Sequence, residues 1–223
     1  MNEPPADPWI ETPARVDLAF TLTGDRVPAE HGYALFAALC RTLGDLHGAA
    51  WLAVHPIEAS PDGGGVLRLR VDPAQAAQVL PLAGATLRLD DARVAVGEAW
   101  ALPIEPAPTL VARMVVLRNG VEARADFEAA LAQQLTALGV RAAAEVPTAA
   151  VDDGRRVLRI RQQAIAGYPV VLRGLSEHDS RRVQSLGVGG RQRFGCGVFA
   201  PKTERARSEV VGDRALDALA QRQ

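Results

Sequence analysis

The chain of 223 residues carries a net charge of −1, and 48% of its residues are hydrophobic. This length and composition suit two small domains with cores of their own. Two cysteines, Cys40 and Cys196, exclude a multi-disulfide framework and a four-cysteine metal site. The acidic, proline-rich first residues and the lack of a long apolar run argue against secretion and a membrane span, so we expect a cytoplasmic protein without a membrane partner.

The near-neutral net charge hides an uneven distribution along the chain. Residues 1–150 hold 11 basic and 18 acidic side chains, whereas residues 155–202 hold 10 basic and 2 acidic ones. We therefore expect any polyanion to bind the C-terminal half. Aromatic residues make up only 4% of the chain, which argues against a platform of stacked bases.

The first half of the chain shows strand and helix patterns in the order β-α-β-β-α-β, with one extra hairpin strand. The predicted strands are residues 16–22, 51–57, 66–71, 86–89 and 93–96, and the predicted helices are residues 28–43 and 73–80. A proline-rich segment follows at 103–109. Because each proline fixes φ and disfavours helix before it, we place the domain boundary there.

The second half repeats the same order of elements. Its predicted strands are residues 112–117, 156–162, 168–173 and 197–201, and its predicted helices are residues 126–138 and 176–186. The fold class is therefore α+β, with two tandem ferredoxin-like (RRM-like) βαββαβ domains. We place these domains at 14–102 and 112–202, with a linker at 103–111 and a tail at 203–223 to which we assign no function.

A glycine-rich loop lies between the last predicted helix and the last predicted strand. It contains Gly187, Gly189, Gly190, Arg191, Arg193, Gly195 and Gly197. Glycines allow φ > 0 and close approach to a ligand, successive amides can form an anion nest, and the arginines add positive charge, so the loop is predicted to bind an anion. The order helix, loop, strand is the reverse of a P-loop. A flexible turn with a helix C-cap glycine is the alternative.

The strand predicted at 156–162 alternates between arginine and apolar side chains. Arg159 and Arg161 face one way, while Leu158 and Ile160 face the core. A row of arginines on one sheet face can follow a phosphate backbone, and arginine binds phosphate through two hydrogen bonds. A solvated outer face is the alternative.

The four histidines show no metal-ligand spacing, so we expect no metal and no cofactor. Acid–base chemistry by histidine remains. His31 opens the first helix, where the positive helix end lowers an imidazole pKa and where His31 and Tyr33 would be partly exposed. His47 is the second candidate, and His55, inside an alternating strand, is predicted to be structural. A surface or capping role is the alternative for His31.

Taken together, these residues resemble a known family over residues 14–202. The resemblance rests on the tandem ferredoxin-like pattern, on the segment HGYALFAALCR at 31–41, and above all on the glycine-rich stretch within 175–199. It is to the CRISPR-associated endoribonucleases of the sixth Cas family, in the repeat-associated mysterious protein (RAMP) superfamily.

The resemblance implies metal-independent cutting of CRISPR precursor RNA within each repeat, which yields mature crRNA. The ribose 2′-hydroxyl would attack the adjacent phosphate and leave a 2′,3′-cyclic phosphate (or 3′-phosphate) and a 5′-hydroxyl. His31 would be the general base or acid, Tyr33 its partner and His47 the second candidate. The implied RNA contacts are Arg156, Arg159 and Arg161 on the repeat hairpin, and Gly187, Gly189, Gly190, Arg191, Arg193, Gly195 and Gly197 on the backbone. Other Cas subunits of an effector complex are the further partners that the resemblance allows.

Two other functions stay open at this point. The first is a non-catalytic RAMP subunit that holds guide RNA in an interference complex, and the second is a ferredoxin-like domain that binds a small anion and has no RNA affinity. A positioned histidine separates enzyme from holder, because a holder needs no proton-transfer group.

Overall fold

The computed structural model describes residues 12, 14–117, 123–148 and 154–201, and its first half is built on a six-stranded antiparallel sheet. The elements are β1 (Val16–Gly24), α1 (Gly32–Leu43), β2 (Leu52–Val54), β3 (Glu58–Ala59), β4 (Gly65–Val71), a 3₁₀ helix (Pro73–Leu82), β5 (Thr86–Leu89) and β6 (Ala92–Leu102). The strand order is β2-β4-β1-β6-β5, and β3 pairs with β4.

The second half is built on a five-stranded sheet of the same design. Its elements are β7 (Thr109–Val115), α2 (Arg124–Ala137), β8 (Ala143–Glu145), β9 (Arg156–Ile160), β10 (Gln163–Arg173), α3 (Glu177–Leu186), a 3₁₀ turn (Gln192–Phe194) and β11 (Ala200–Pro201). The order is β11-β7-β10-β8, and β9 pairs with β10. The two neighbouring inner strands are β1 and β4 in the first sheet and β7 and β10 in the second. The predicted tandem ferredoxin-like fold is therefore confirmed. The exact domain limits stay a prediction.

Among the differences from the sequence predictions, three concern the segments with the candidate site residues. Helix α1 begins at Gly32 rather than at residue 28, so His31 becomes its N-cap. The strands predicted at 156–162 and 168–173 form one long hairpin, β9–β10, which turns at Arg161 with φ 54°. The strand predicted at 197–201 shortens to Ala200–Pro201, because the glycines before it are used in turns.

Each half has its own hydrophobic core on one face of its sheet. Helix α1 buries Leu35, Phe36 and Leu39 against the first sheet. In the second half, Phe127 of α2 packs on Tyr168 of β10, with ring centroids 4.7 Å apart. Two separate cores agree with the expectation from chain length.

Helix α3 binds the segment that connects the two sheets. The amide of Ala107 donates to Ser180 Oγ at 2.8 Å, and Gln184 Nε2 donates to Glu105 O at 2.8 Å. These contacts explain why α3 buries Ser180 and Gln184, since a buried polar side chain must be hydrogen-bonded to be tolerated. The linker is therefore held along α3.

His55 lies buried beside a charged pair at the back of the first sheet. Its Nε2 is 3.5 Å from Asp17 Oδ2, and Asp17 pairs with Arg70. Burial, and then the positive charge of Arg70, lower the pKa of His55 to about 4. Burial alone would raise the pKa of Asp17, but the adjacent His55 and the hydrogen bonds from Arg70 hold that pKa well below its usual range.

The low pKa of His55 predicts that acid destabilises the protein. The unfolded chain, with a histidine pKa near 6.5, takes up the proton more readily than the folded one. The resulting stability is present above about pH 6.5 and is lost as pH falls towards about 4, a loss on the order of 3 kcal/mol. Urea unfolding should give a higher free energy of unfolding at pH 7.5 than at pH 5.0. This difference should shrink in His55→Gln and persist in the control His178→Gln, whose ring is exposed. A His55→Gln variant with the full pH dependence would contradict this assignment.

Candidate active site

The first residue of α1 lies where the two domains meet. A Cβ on Gly32 would come within 2.6 Å of Phe194 O and 3.5 Å of Leu158 Cδ1, so only glycine allows this approach. A small cleft opens beside it, and its polar lining includes Glu30, His31, Arg113 and Arg156. Both the glycine-rich loop and the β9–β10 hairpin therefore border the start of α1.

Arg113 of β7 joins the second domain to the segment just before α1. Its Nη2 donates to Ala29 O at 2.8 Å and to Glu30 Oε1 at 3.0 Å. The sequence patterns did not single out Arg113, because its partners lie more than 80 residues away.

His31 is buried in this region with both ring nitrogens engaged. The amide of Ile57 donates to Nε2 at 2.9 Å, which places the proton on Nδ1, and Nδ1 donates to Pro28 O at 2.7 Å. The side chain is only 4% exposed, so the expected partial exposure of His31 is wrong. Burial lowers the pKa of His31 and keeps the ring neutral. In this geometry His31 braces the start of α1 against the segment after β2.

His47 is presented quite differently, in the turn after α1. Its ring is 73% exposed, its Nδ1 lies 2.7 Å from Asp45 Oδ1, and its amide donates to the same oxygen at 2.9 Å. These hydrogen bonds lower the pKa of the Asp45 carboxyl. With Nδ1 donating to Asp45, Nε2 is the nitrogen left for an external proton. Sequence reasoning missed Asp45. The signal was available, because an aspartate side chain often accepts a hydrogen bond from the backbone amide two residues later, which forms an Asx turn.

Aromatic contacts bring the tip of the glycine-rich loop to the same place. Phe194 packs on Phe36 with centroids 4.6 Å apart and lies parallel to Tyr33 at 6.5 Å, while Phe36 meets the edge of the His47 ring at 5.2 Å. Arg193 Nη1 also donates to Leu46 O at 3.1 Å. The structure thus assembles His47, Tyr33 and Arg193, three of the predicted site residues, around Phe194 on one side of α1.

The glycine amides of the loop are used within the protein. Each donates a hydrogen bond: Gly187 to Val183 O, Gly189 to Gln134 Oε1, Gly190 to Val116 O, Gly195 to Gln192 O and Gly197 to Met114 O. The expected anion nest of these amides is therefore wrong, because most of them attach the loop to the elements around it. Whether the loop holds RNA stays a prediction, which now depends on the arginine side chains.

The arginines of the β9–β10 hairpin lie at the surface. Leu158 is buried and Arg159 exposed, so the predicted alternation is confirmed, while Arg161 lies in the turn. Arg156, also exposed, borders the cleft. Within residues 14–117, 123–148 and 154–201, no ion pair of Arg159 or Arg161 is found.

Three other arginines of the basic segment have partners inside the protein. Arg173 pairs with Glu145 at 3.1 Å, Arg181 pairs with Glu177 at 3.1 Å, and Arg182 is buried. The surface available to a polyanion is therefore smaller than the charge count suggests. The hairpin, together with Arg191 and Arg193 of the loop, stays the predicted binding surface.

Within the part of the chain that the structure describes, no group of three or more His, Cys, Asp or Glu side chains could hold a metal ion. In the same residues, no helix is long and apolar enough to span a membrane.

Comparison with known proteins gives the family. The sequence matches the family described as Cas6 Crispr over residues 16–204. It is 36% identical over 214 residues to the CRISPR-associated endonuclease Cas6 of Myxococcus xanthus (strain DK1622), which covers 93% of this chain and 90% of that protein. The chain therefore belongs to the Cas6 family.

Solved structures agree at the level of the fold. A CRISPR associated protein Cas6 superposes with a TM-score of 0.58 at 13% identity, covering 85% of this chain and 100% of its own. A structure described as a RAMP protein binding different RNA substrates gives 0.60 at 14% identity, covering 83% and 98%. At these identities the likeness shows the shared architecture.

Proposed function

We propose that this chain is the cytoplasmic endoribonuclease that cuts CRISPR precursor RNA within its repeats to give mature crRNA. Membership of the Cas6 family and the relative named as an endonuclease support the reaction class. The observation that carries the proposal is the exposed His47–Asp45 pair beside the arginine-bearing tip of the glycine-rich loop. After cleavage, the crRNA hairpin and other Cas subunits are the partners.

The site geometry supports a reaction in which the RNA supplies its own nucleophile. His47 Nε2 accepts the proton of the 2′-hydroxyl, while its Nδ1–H stays hydrogen-bonded to Asp45. The Asp45 carboxylate thereby orients the ring and stabilises the imidazolium. The 2′-oxygen then bonds to the phosphorus and the bond from phosphorus to the 5′-oxygen breaks, which gives a 2′,3′-cyclic phosphate. The departing 5′-oxygen takes a proton from Tyr33 or from water.

The charges of the loop suit the phosphate that reacts. Arg193 is held at Leu46 O next to His47, and Arg191 lies exposed in the left-handed region at φ 65°. Guanidinium groups can donate two parallel hydrogen bonds to phosphate oxygens, which stabilises the extra negative charge of the transition state. No step of this scheme uses a metal ion.

A non-catalytic RNA holder is the second candidate, and the buried His31 favours it. The histidine predicted first as the proton-transfer group is already bonded at both nitrogens. Under this alternative the same arginines bind RNA and His47 is an ordinary surface residue.

One assay separates the two functions. The purified chain, in EDTA, is incubated with a repeat RNA and with the same RNA carrying a single 2′-deoxy nucleotide at the mapped cleavage position. The proposed function predicts cleavage of the first RNA only, with a cyclic phosphate or 3′-phosphate and a 5′-hydroxyl at the new ends. Binding of both RNAs without cleavage of either would establish the holder, and cleavage of the deoxy RNA would exclude the 2′-hydroxyl as nucleophile.

The hairpin arginines yield a prediction for binding. Replacing Arg159 and Arg161 together by alanine should weaken binding of the repeat and flatten its salt dependence, because fewer counterions are released, with the log–log slope reduced by roughly 1 to 2. Fluorescence anisotropy over a salt series measures both quantities. The matched control is Arg173→Ala with Arg181→Ala, whose guanidinium groups are already paired with Glu145 and Glu177. Equal losses in the two double variants would show that the hairpin is not the binding face.

A further inference from the structure

Arg70 forms a buried junction between the two domains. Its guanidinium lies in β4, only 2% exposed, and donates to both carboxylate oxygens of Asp17 in β1, Nε to Oδ1 at 2.7 Å and Nη2 to Oδ2 at 2.8 Å. Its remaining nitrogen, Nη1, donates to two carbonyls of the second domain, Gln184 O at 2.7 Å and Phe199 O at 2.8 Å. Asp17 thus fixes the plane of the guanidinium, and the fixed plane determines where the two carbonyls must lie.

The two carbonyls flank the glycine-rich loop. Gln184 is in the last turn of α3 just before the loop, and Phe199 directly precedes β11 just after it. A single side chain of the first domain therefore hydrogen-bonds to both ends of a loop that belongs to the second. Loops are the part of a domain most free to shift, so fixing both stems limits where the tip can lie.

We propose that the buried Asp17–Arg70 pair is a positioning element that sets the glycine-rich loop over α1 for the reaction. The proposal rests on the function proposed above. The loop tip reaches the far side of α1 through Phe194 on Phe36 and through Arg193 on Leu46, beside His47. A loop released at its stems carries Arg193 and Phe194 away from the turn that holds His47, whereas the β9–β10 hairpin has no bond to Arg70 and keeps its hold on RNA.

The test variant replaces the pair as a unit, Asp17→Leu with Arg70→Met. Exchange of a buried ion pair for apolar residues of similar size is often neutral for stability, whereas removal of one partner leaves an unpaired buried charge. The double variant therefore loses the two hydrogen bonds to Gln184 and Phe199 without leaving an unpaired buried charge. The matched control is Arg68→Lys, two residues earlier in β4, because Arg68 pairs with Glu58 inside the first domain.

Two readouts are compared at a temperature where circular dichroism shows each variant folded. The first is single-turnover cleavage at saturating repeat RNA together with RNA affinity. We expect the saturating rate of the double variant to fall at least 10-fold with a much smaller loss of affinity, because the hairpin keeps its RNA contacts, and Arg68→Lys to match the wild type. An unchanged saturating rate, or parallel losses in rate and affinity, would overturn the positioning role.

The second readout needs no catalysis and so tests the loop even if the chain does not cut RNA. Cys196 lies in the loop and is 2% exposed, while Cys40 on α1 is half-buried. Pulse labelling with a maleimide, quantified for each peptide by mass spectrometry, should show at least a 10-fold faster reaction of Cys196 in the double variant and an unchanged rate at Cys40. Wild-type protection of Cys196 in the double variant would overturn the proposal, and absence of cleavage by the wild type would overturn only the proposed function.

Discussion

Replacing His47 by alanine should slow cleavage of a repeat RNA by about 10²- to 10⁴-fold, the usual contribution of a positioned acid–base group. Binding should be nearly unchanged, because His47 is exposed and packs only its ring edge on Phe36. Single-turnover rates at saturating RNA and anisotropy titrations measure the two effects separately. Asp45→Asn should lower the rate less, since it removes the group that orients His47 but not the base itself.

The controls are two other histidines. His178→Ala removes an exposed imidazole on α3 and should leave rate and affinity unchanged. His31→Asn should destabilise the fold, because it disturbs a buried side chain bonded to Pro28 and Ile57, while the folded fraction still cuts. If His47→Ala cut at the wild-type rate and folded His31→Asn did not cut, the catalytic assignment would move to His31.

A second large effect is expected from Gly189→Ala. Gly189 has φ +80°, and an added Cβ would lie 2.4 Å from Val116 O, so both the backbone conformation and the space oppose a side chain. A strained φ together with a clash against backbone should cost about 3 kcal/mol in the free energy of unfolding. For a chain of this size, that lowers Tm by roughly 6–12 °C.

Gly190→Ala is the matched control one residue further on. A Cβ there would meet nothing within 4 Å, so its effect on the free energy of unfolding should stay within about 0.5 kcal/mol. Thermal unfolding followed by circular dichroism compares the pair. Equal Tm values for Gly189→Ala and Gly190→Ala would show that the loop does not need a glycine at position 189 to pack against Val116.

Much of the fold followed from local patterns. The alternation in β1, the apolar face of α1 and the N-cap Ser176 of α3 lie close to their predicted positions, because burial on one face dictates the spacing of apolar residues. The long β9–β10 hairpin was missed because Arg161 in a left-handed turn gives no glycine or proline signal. The prolines at 103, 106 and 108 lie between β6, which ends at Leu102, and β7, which begins at Thr109, while the exact domain limits stay a prediction.

The site was less predictable because it depends on distant partners. His31 was expected to be partly exposed, but an amide 26 residues away binds its Nε2 and the second domain covers it. The loop glycines were expected to face a ligand, yet the amides of Gly190 and Gly197 donate to the carbonyls of Val116 and Met114, and that of Gly189 to the side chain of Gln134. No spacing within the loop reveals these partners. The exposure of Arg159 was predictable from strand alternation, whereas Arg161 is exposed because it lies in the turn of the hairpin.

The most direct test of the account is the structure of this chain bound to a repeat RNA that carries a 2′-deoxy nucleotide at the mapped cleavage position. We expect the deoxy 2′-carbon within about 5 Å of His47 Nε2, close to hydrogen-bonding reach for the missing hydroxyl. We also expect the scissile phosphate against Arg191 or Arg193, and the repeat hairpin along Arg159 and Arg161. A scissile linkage in the cleft beside His31, with the bonds of that ring to Pro28 and Ile57 broken, would contradict the account.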